Sequence, residues 1–178
     1  MRKQSVPPTG REARFADDEI IVSKTDSKGH ITYANDVFLR VSGYTEEQLL
    51  GQPHSIVRHP DMPRTVFSLM WETIQAGTEI FAYVKNLSSD GDHYWVFAHV
   101  TPSFGEDGQI LGYHSNRRTP DRRALPTIEA LYAELHEIER RAPPGEAVSS
   151  GRSALAAKLQ TMGMPYDVLM FSLGDQRR

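Results

Sequence analysis

Two Asp-Gly turns constrain this chain more than any other feature. The stretches SSDGD (residues 88–92) and GEDGQ (residues 105–109) separate three β-rich segments at residues 80–87, 93–103 and 109–117. Asp-Gly readily adopts the positive-φ conformation of tight hairpin turns, and segments joined so closely run antiparallel. A second pair of apolar runs, residues 19–25 and 30–34, flanks Asp26-Ser27-Lys28-Gly29 and reads as another hairpin.

Helix signals lie between the hairpins. Asn35 and Asp36 can accept from the free N–H groups of a helix that ends at Gly43. Thr45 and Gln48 stand at capping-box spacing for a second short helix, ended by Gly51. Residues 52–62, with two prolines and no clean period, read as irregular. Pro63 then opens a longer helix at a position where its missing N–H costs nothing. Val66, Phe67, Met70, Trp71 and Ile74 form one apolar stripe along it. Strands, then helices, then strands, without βα alternation, predict an α+β fold on an antiparallel sheet.

The character changes after Pro120. Residues 121–141 read as a charged helix whose Ile128, Leu131, Leu135 and Ile138 have the spacing of a coiled-coil seam. Residues 142–152 look like a linker; SALAAKLQTM is a weak amphipathic helix and PYDVLMFSL an apolar patch. The expected organisation is a flexible arm or cap at 1–16, a domain at 17–120, a C-terminal helix at 121–141, and a linker and weakly structured tail at 142–178.

Composition works by exclusion. The chain has no cysteine, which removes disulfides, thiolate nucleophiles, iron–sulfur clusters and photochemistry through a cysteine–flavin adduct. A net charge of -3 leaves no basic footprint for nucleic acid. No run approaches the ~18 apolar residues of a membrane span, and the polar N-terminus lacks a signal-peptide core. The expected location is the cytoplasm. No HExxH, nucleophile elbow or paired-carboxylate pattern stands out, so no enzymatic activity is expected.

The run ITYANDVFLRVSGYTEEQLLGQPHSIVRHPDMPRTVFSLMWETIQAG, extended by KNLSSDGDHYWVFAHVTP and ILGYHSNR, resembles a PAS domain of the bacterial aerotaxis-receptor type. GQPHSIVRHPDMP combined with KN…GDHYWV is its most specific part. The resemblance covers about residues 17–118. It implies a five-stranded antiparallel sheet flanked by short helices, FAD held non-covalently, and a redox or oxygen signal passed to a downstream signalling protein. PAS domains commonly dimerise through a preceding helix and the outer sheet face, so a homodimer is expected. The sequence shows no transmembrane anchor or HAMP-like segment. Readout is therefore expected through a partner, a dimer rearrangement or the C-terminal extension.

By this resemblance Arg58, His59 and Asp61 of the RHPDMP loop, and Trp71 beside Met70, are expected at the cofactor. The guanidinium of Arg58 suits bidentate phosphate or carbonyl contacts; the loop's charges can equally cap neighbouring helices. Asn86 offers both a donor and an acceptor to a pyrimidine edge, or ends a strand near a turn. Asn35 can bond the ligand or cap its helix. Phe67 and Trp71 lie on a stripe that can be core alone. His93 and Trp95 complete the candidate set; they alternate with Tyr94, and the pattern leaves open which face looks into a cavity. One position departs from the resembled family: Ile80-Phe81 stands where a tryptophan is expected, with Phe81 or Tyr83 the candidates to supply that ring. Two alternatives stay open. One is an interaction and dimerisation module without redox cofactor, using the Ile128–Ile138 seam and the tail from Val168 to Leu173. The other is a sensor of another ligand such as haem b, for which seven histidines offer candidates.

Overall fold

The computed structural model describes residues 6–174. Up to Arg118 the elements follow the sequence signals. β1 (Ile21–Asp26) and β2 (Ile31–Ala34) pair as the first hairpin. α1 (Asp36–Ser42) starts at Asn35, whose side chain accepts from the Phe38 N–H, and stops at Gly43 with φ 69°. Glycine takes that left-handed value without steric cost. α2 (Glu46–Leu49) carries the complete Thr45–Gln48 capping box. The irregular segment contains one 3-10 turn, His54–Val57. α3 (Arg64–Gln75) follows Pro63. β3 (Ile80–Leu87), β4 (His93–Phe104) and β5 (Ile110–Arg118) complete one antiparallel sheet in the order β2-β1-β5-β4-β3. The α+β expectation holds.

Register sorts the two faces. Ala82, Val84 and Asn86 of β3 stand beside Ala98, Val96 and Tyr94 of β4, and Ser23 of β1 beside Ser115 of β5. Because side chains alternate, these share the face covered by α3. Phe81, Tyr83, Lys85, Trp95, Phe97 and His99 share the outer face.

The chain covers that outer face itself. α4 (Leu125–Arg141) buries Ile128, Leu131, Tyr132 and Leu135. Tyr132 stacks on Trp95 at 6.4 Å, and its hydroxyl donates to the Tyr83 carbonyl at 2.7 Å. α6 (Tyr166–Ser172) sets Phe171 against Phe81 and Phe97. α5 (Ala147–Met162) packs along α4 and α3.

Two expectations are corrected, and one open alternative is narrowed. The coiled-coil seam is filled within the chain, with Ile138 only half-buried. Within the expected linker and weakly structured tail, Ala147–Met162 and Tyr166–Ser172 are helices. Gly151 serves close approach, since a Cβ on it would sit 1.9 Å from Thr65 Oγ1; packing overrides weak propensity here. Of the two forms expected for residues 1–16, a flexible arm or a cap, the described part has the bonds of a cap. Thr9 N–H donates to the Gly91 carbonyl at 2.9 Å and Ala13 N–H to the His93 carbonyl at 2.8 Å, while Arg122 holds Glu12 at 2.5 and 2.7 Å. The ends of the expected arm and tail, residues 1–5 and 175–178, lie outside the described residues. Among the described residues no helix is long and apolar enough to cross a membrane.

Gly151→Val is expected to destabilise the chain by about 1–3 kcal/mol through overpacking. Ala156→Val, on the exposed side of the same helix, is expected to cost far less. Thermal melts followed by circular dichroism compare the two; equal melts would contradict the close contact between α5 and α3.

Candidate functional site

A cavity of about 210 Å³ lies between α3 and the sheet. Phe67, Met70, Trp71 and Ile74 form the helical wall. Val84, Asn86, Ala98 and Val100 form the floor from β3 and β4. Ser23, Tyr113, Ser115 and Arg117 close one side from β1 and β5, and His54 and Arg58 close another. Trp71 meets Tyr113 edge-on at 5.5 Å. Val66 of the stripe is buried against protein, whereas Phe67, Met70 and Trp71 stay half-buried and line the cavity with Ile74.

Its electrostatics are one-sided. Among the described residues, the lining holds no carboxylate but three cations, Lys28, Arg58 and Arg117. Arg117 is 2% exposed. Its Nη2 donates to Ser23 Oγ at 2.6 Å, and its guanidinium lies 4.3 Å from the centre of the Phe38 ring. Its Nε and Nη1 have no hydrogen-bond partner. Burial pulls its pKa down to about 10, so it stays charged at neutral pH. A buried cation with orphaned donors is costly until an acceptor arrives.

His54 lies beside it, 3.1 Å from Ser23 Oγ and stacked on Phe38. Burial, and then the positive charge of Arg117, hold its pKa down to about 3. Ser23 Oγ already accepts from Arg117, so its own hydrogen is free for His54 Nε2, which fits a neutral ring. Arg58 lies 4.1 Å over the Phe67 ring and donates to the Met62 carbonyl at 3.2 Å. Backbone pairing brings Arg58 alongside buried Asn86.

Arg58, Phe67, Trp71 and Asn86 therefore meet at one cavity. The other expected residues do not line it. Asn35 spends its side chain on backbone: Oδ1 accepts from Val22 and Phe38, and Nδ2 donates to Ile20. His59 is 3% exposed and accepts from the Asp61 N–H at 3.1 Å; burial and then Lys85 push its pKa down to about 4. Asp61 pairs with Lys85 at 2.8 Å. His93 stands edge-on to His59, and Trp95 lies under Tyr132, both on the outer face. Nor does the tryptophan substitute appear: Phe81 stacks on His99 at 4.2 Å and Tyr83 meets Phe97 at a tilt at 4.8 Å, both facing away from the cavity. Ser23, His54, Tyr113 and Arg117 were not singled out from sequence. Alternation along Tyr113, Ser115 and Arg117 was the available signal, legible only once the cavity face is known.

A five-stranded antiparallel sheet with short helices over one face and a cavity between them defines a PAS sensory domain. Residues 31–117 match the family described as PAS fold. The chain is 42% identical over 145 residues to the aerotaxis receptor of Escherichia coli (strain K12), covering 80% of this chain and 28% of that protein. It is 31% identical over 99 residues to the nitrogen fixation regulatory protein of Klebsiella pneumoniae, covering 56% of this chain and 20% of that protein. The chain thus spans well under a third of either relative. In structure it is similar to the dark form of the blue-light photoreceptor Aureochrome1 LOV, with TM-score 0.53 and 24% identity over 67% of this chain and 86% of that one. It is also similar to a PAS domain from Colwellia psychrerythraea, with TM-score 0.52 and 24% identity over 56% and 85%. Residues 31–117 thus carry a PAS domain, and the chain around it is similar to the aerotaxis receptor.

The depressed histidines fix the sign of a pH effect. A histidine whose folded pKa lies below its unfolded value of about 6.5 favours folding fully above that value. That stability is lost as pH falls, at up to about 1.4 kcal/mol per unit for each such group. His54 acts down to about pH 3 and His59 down to about 4. Urea unfolding at pH 7, 6 and 5 is expected to show falling stability, with a shallower slope in His54→Gln. Identical slopes would show that His54 is not held neutral.

Proposed function

We propose that this chain is a sensory module that holds FAD non-covalently in the cavity and signals redox or oxygen state to a partner protein. The observation that carries the reading is Arg117, a buried guanidinium with two orphaned donors on a cavity free of carboxylates. A planar heteroaromatic ring with oxygen and nitrogen acceptors fits that environment. Phe67 and Trp71 offer apolar walls, Asn86 a donor and acceptor at one edge, and Lys28 and Arg58 positive charge for a diphosphate.

When bound, a flavin supplies a ring whose charge and protonation change on reduction. The protein's part is to hold and orient it. Ser23 fixes the Arg117 side chain, His54 stays neutral beside it, and α3 screens the ring from water. With no cysteine available, a cysteine–flavin adduct is excluded, and this reading takes the flavin as held without a covalent bond. The aerotaxis-receptor resemblance supports the same ligand class. Haem b is less well served: among the described cavity residues His54 is the only histidine, and its Nε2 faces Ser23. In this reading the module acts in the cytoplasm and binds rather than catalyses. A homodimer would use a surface other than the outer sheet face, which α4 and α6 cover.

Purified protein is expected to be yellow, with mass spectrometry identifying FAD in the released ligand. Arg117→Met is expected to weaken FAD binding about tenfold or more, since a hydrogen bond to a charged group contributes about 1.5–3 kcal/mol, and Asn86→Ala about two- to tenfold, since a neutral one contributes about 0.5–1.5 kcal/mol. Trp95→Phe and His93→Gln, on the outer face, are expected to leave affinity unchanged. Colourless protein that takes up no FAD on reconstitution sinks the reading.

A further inference from the structure

The C-terminal helices converge on α3. Pro63, at its N-cap, makes no side-chain capping bond. The free N–H groups of Arg64 and Thr65 donate instead to the Glu139 carboxylate of α4, at 3.0 and 2.7 Å. Thr65 Oγ1 donates to the same carboxylate at 2.7 Å. A helix N-terminus carries partial positive charge, so a buried carboxylate there is a strong cap. Glu139 is 9% exposed.

α5 meets the same point. Gly151 is buried against Thr65, and a Cβ placed on it would also lie 3.5 Å from Glu139 Cγ. One position on, Arg152 Nη2 donates to Glu72 of α3 at 2.8 Å. Tyr166, opening α6, packs on the apolar cluster that contains Ile74, near the far end of α3. The other side of α3 is the cavity wall of Phe67, Met70 and Trp71. One helix of twelve residues thus has the cavity on one side and α4 and α5 on the other, with α6 reaching the cluster at its far end through Tyr166.

We propose that α3 is the transmitter of this module and Glu139 its joint. Occupancy of the cavity shifts α3, and the Glu139 cap passes that shift to α4, α5 and α6, whose docking is the output. The inference rests on the flavin reading for the identity of the ligand alone. Side-chain contacts of this kind move as a unit because a helix is stiff, while the short connections around it are not. Coupling between two sites is reciprocal, so changes in the docking of these helices alter affinity at the cavity.

The test is hydrogen exchange by mass spectrometry on the full chain, with and without FAD, in wild type and Glu139→Gln. In wild type, FAD is expected to change exchange across residues 147–172 about tenfold, within the usual range of coupling between sites. In Glu139→Gln, FAD is expected to bind while that difference disappears. A cap with a merely structural role would instead raise exchange equally in both states and leave the difference intact, which overturns the proposal. No FAD-dependent change in wild type overturns it as well. Should Glu139→Gln fail to fold, Thr65→Val removes one of the three bonds and is expected to reduce the difference; an undiminished difference overturns the proposal. If wild type takes up no FAD, the flavin reading has failed, and Ala98→Leu fills the cavity in place of a ligand. It is expected to change exchange in residues 147–172 only where Glu139 is present. The same change in the Glu139→Gln background, or no change in either, overturns the joint.

Discussion

A sheet that is apolar on both faces has to be covered on both faces. Antiparallel sheets often leave one side to water, but this one carries Phe81, Tyr83, Trp95 and Phe97 on its outer side. Fully burying a large apolar side chain stabilises by about 1.5–3 kcal/mol. That drives α4 and α6 back onto the strands, where Tyr132 and Phe171 meet those rings. Once α4 lies there, Glu139 reaches the start of α3, and α5 fills the angle between them. The extension is thus part of the folded unit that contains the sensor.

The inner face solves a different problem. Its small and apolar residues, Ala82, Val84, Ala98 and Val100, leave space that α3 roofs without filling. Into that space the fold brings Arg117, whose charge is desolvated and only partly bonded. A group of this kind contributes little to the fold on its own. It makes the unliganded domain less stable than its packing implies, and it makes any ligand with suitable acceptors a stabiliser of the whole domain through mass action. Stability and recognition are linked through one guanidinium.

Most of the fold was legible because its signals were local. Asp-Gly turns, the Thr45–Gln48 box, the Asn35 cap and the Pro63 start each act within a few residues, and each stands where the sequence placed it. The site was half legible. Of the candidate residues, Arg58, Phe67, Trp71 and Asn86 line the cavity, and Asn35, His59, Asp61, His93 and Trp95 do not. Alternation identifies two faces and not which is inner. Apolarity normally decides, and here both faces are apolar, because the C-terminal helices shield the outer one. The same tertiary cover hid α5, whose Gly151 and serines read as a linker until Thr65 is seen against it. Asn35 shows the converse: its chemistry suited a ligand, yet three backbone groups claim it first.

The distance in sequence between Thr65 and Glu139 has a consequence for biogenesis. Chains emerge from the ribosome N-terminal end first, at about 5–20 residues per second. All five strands are made before α4, so for a time the sheet exists with its aromatic outer face bare and α3 without its cap. During that interval the nascent domain exposes apolar surface that only its last helices cover, the condition in which chains are most prone to aggregate.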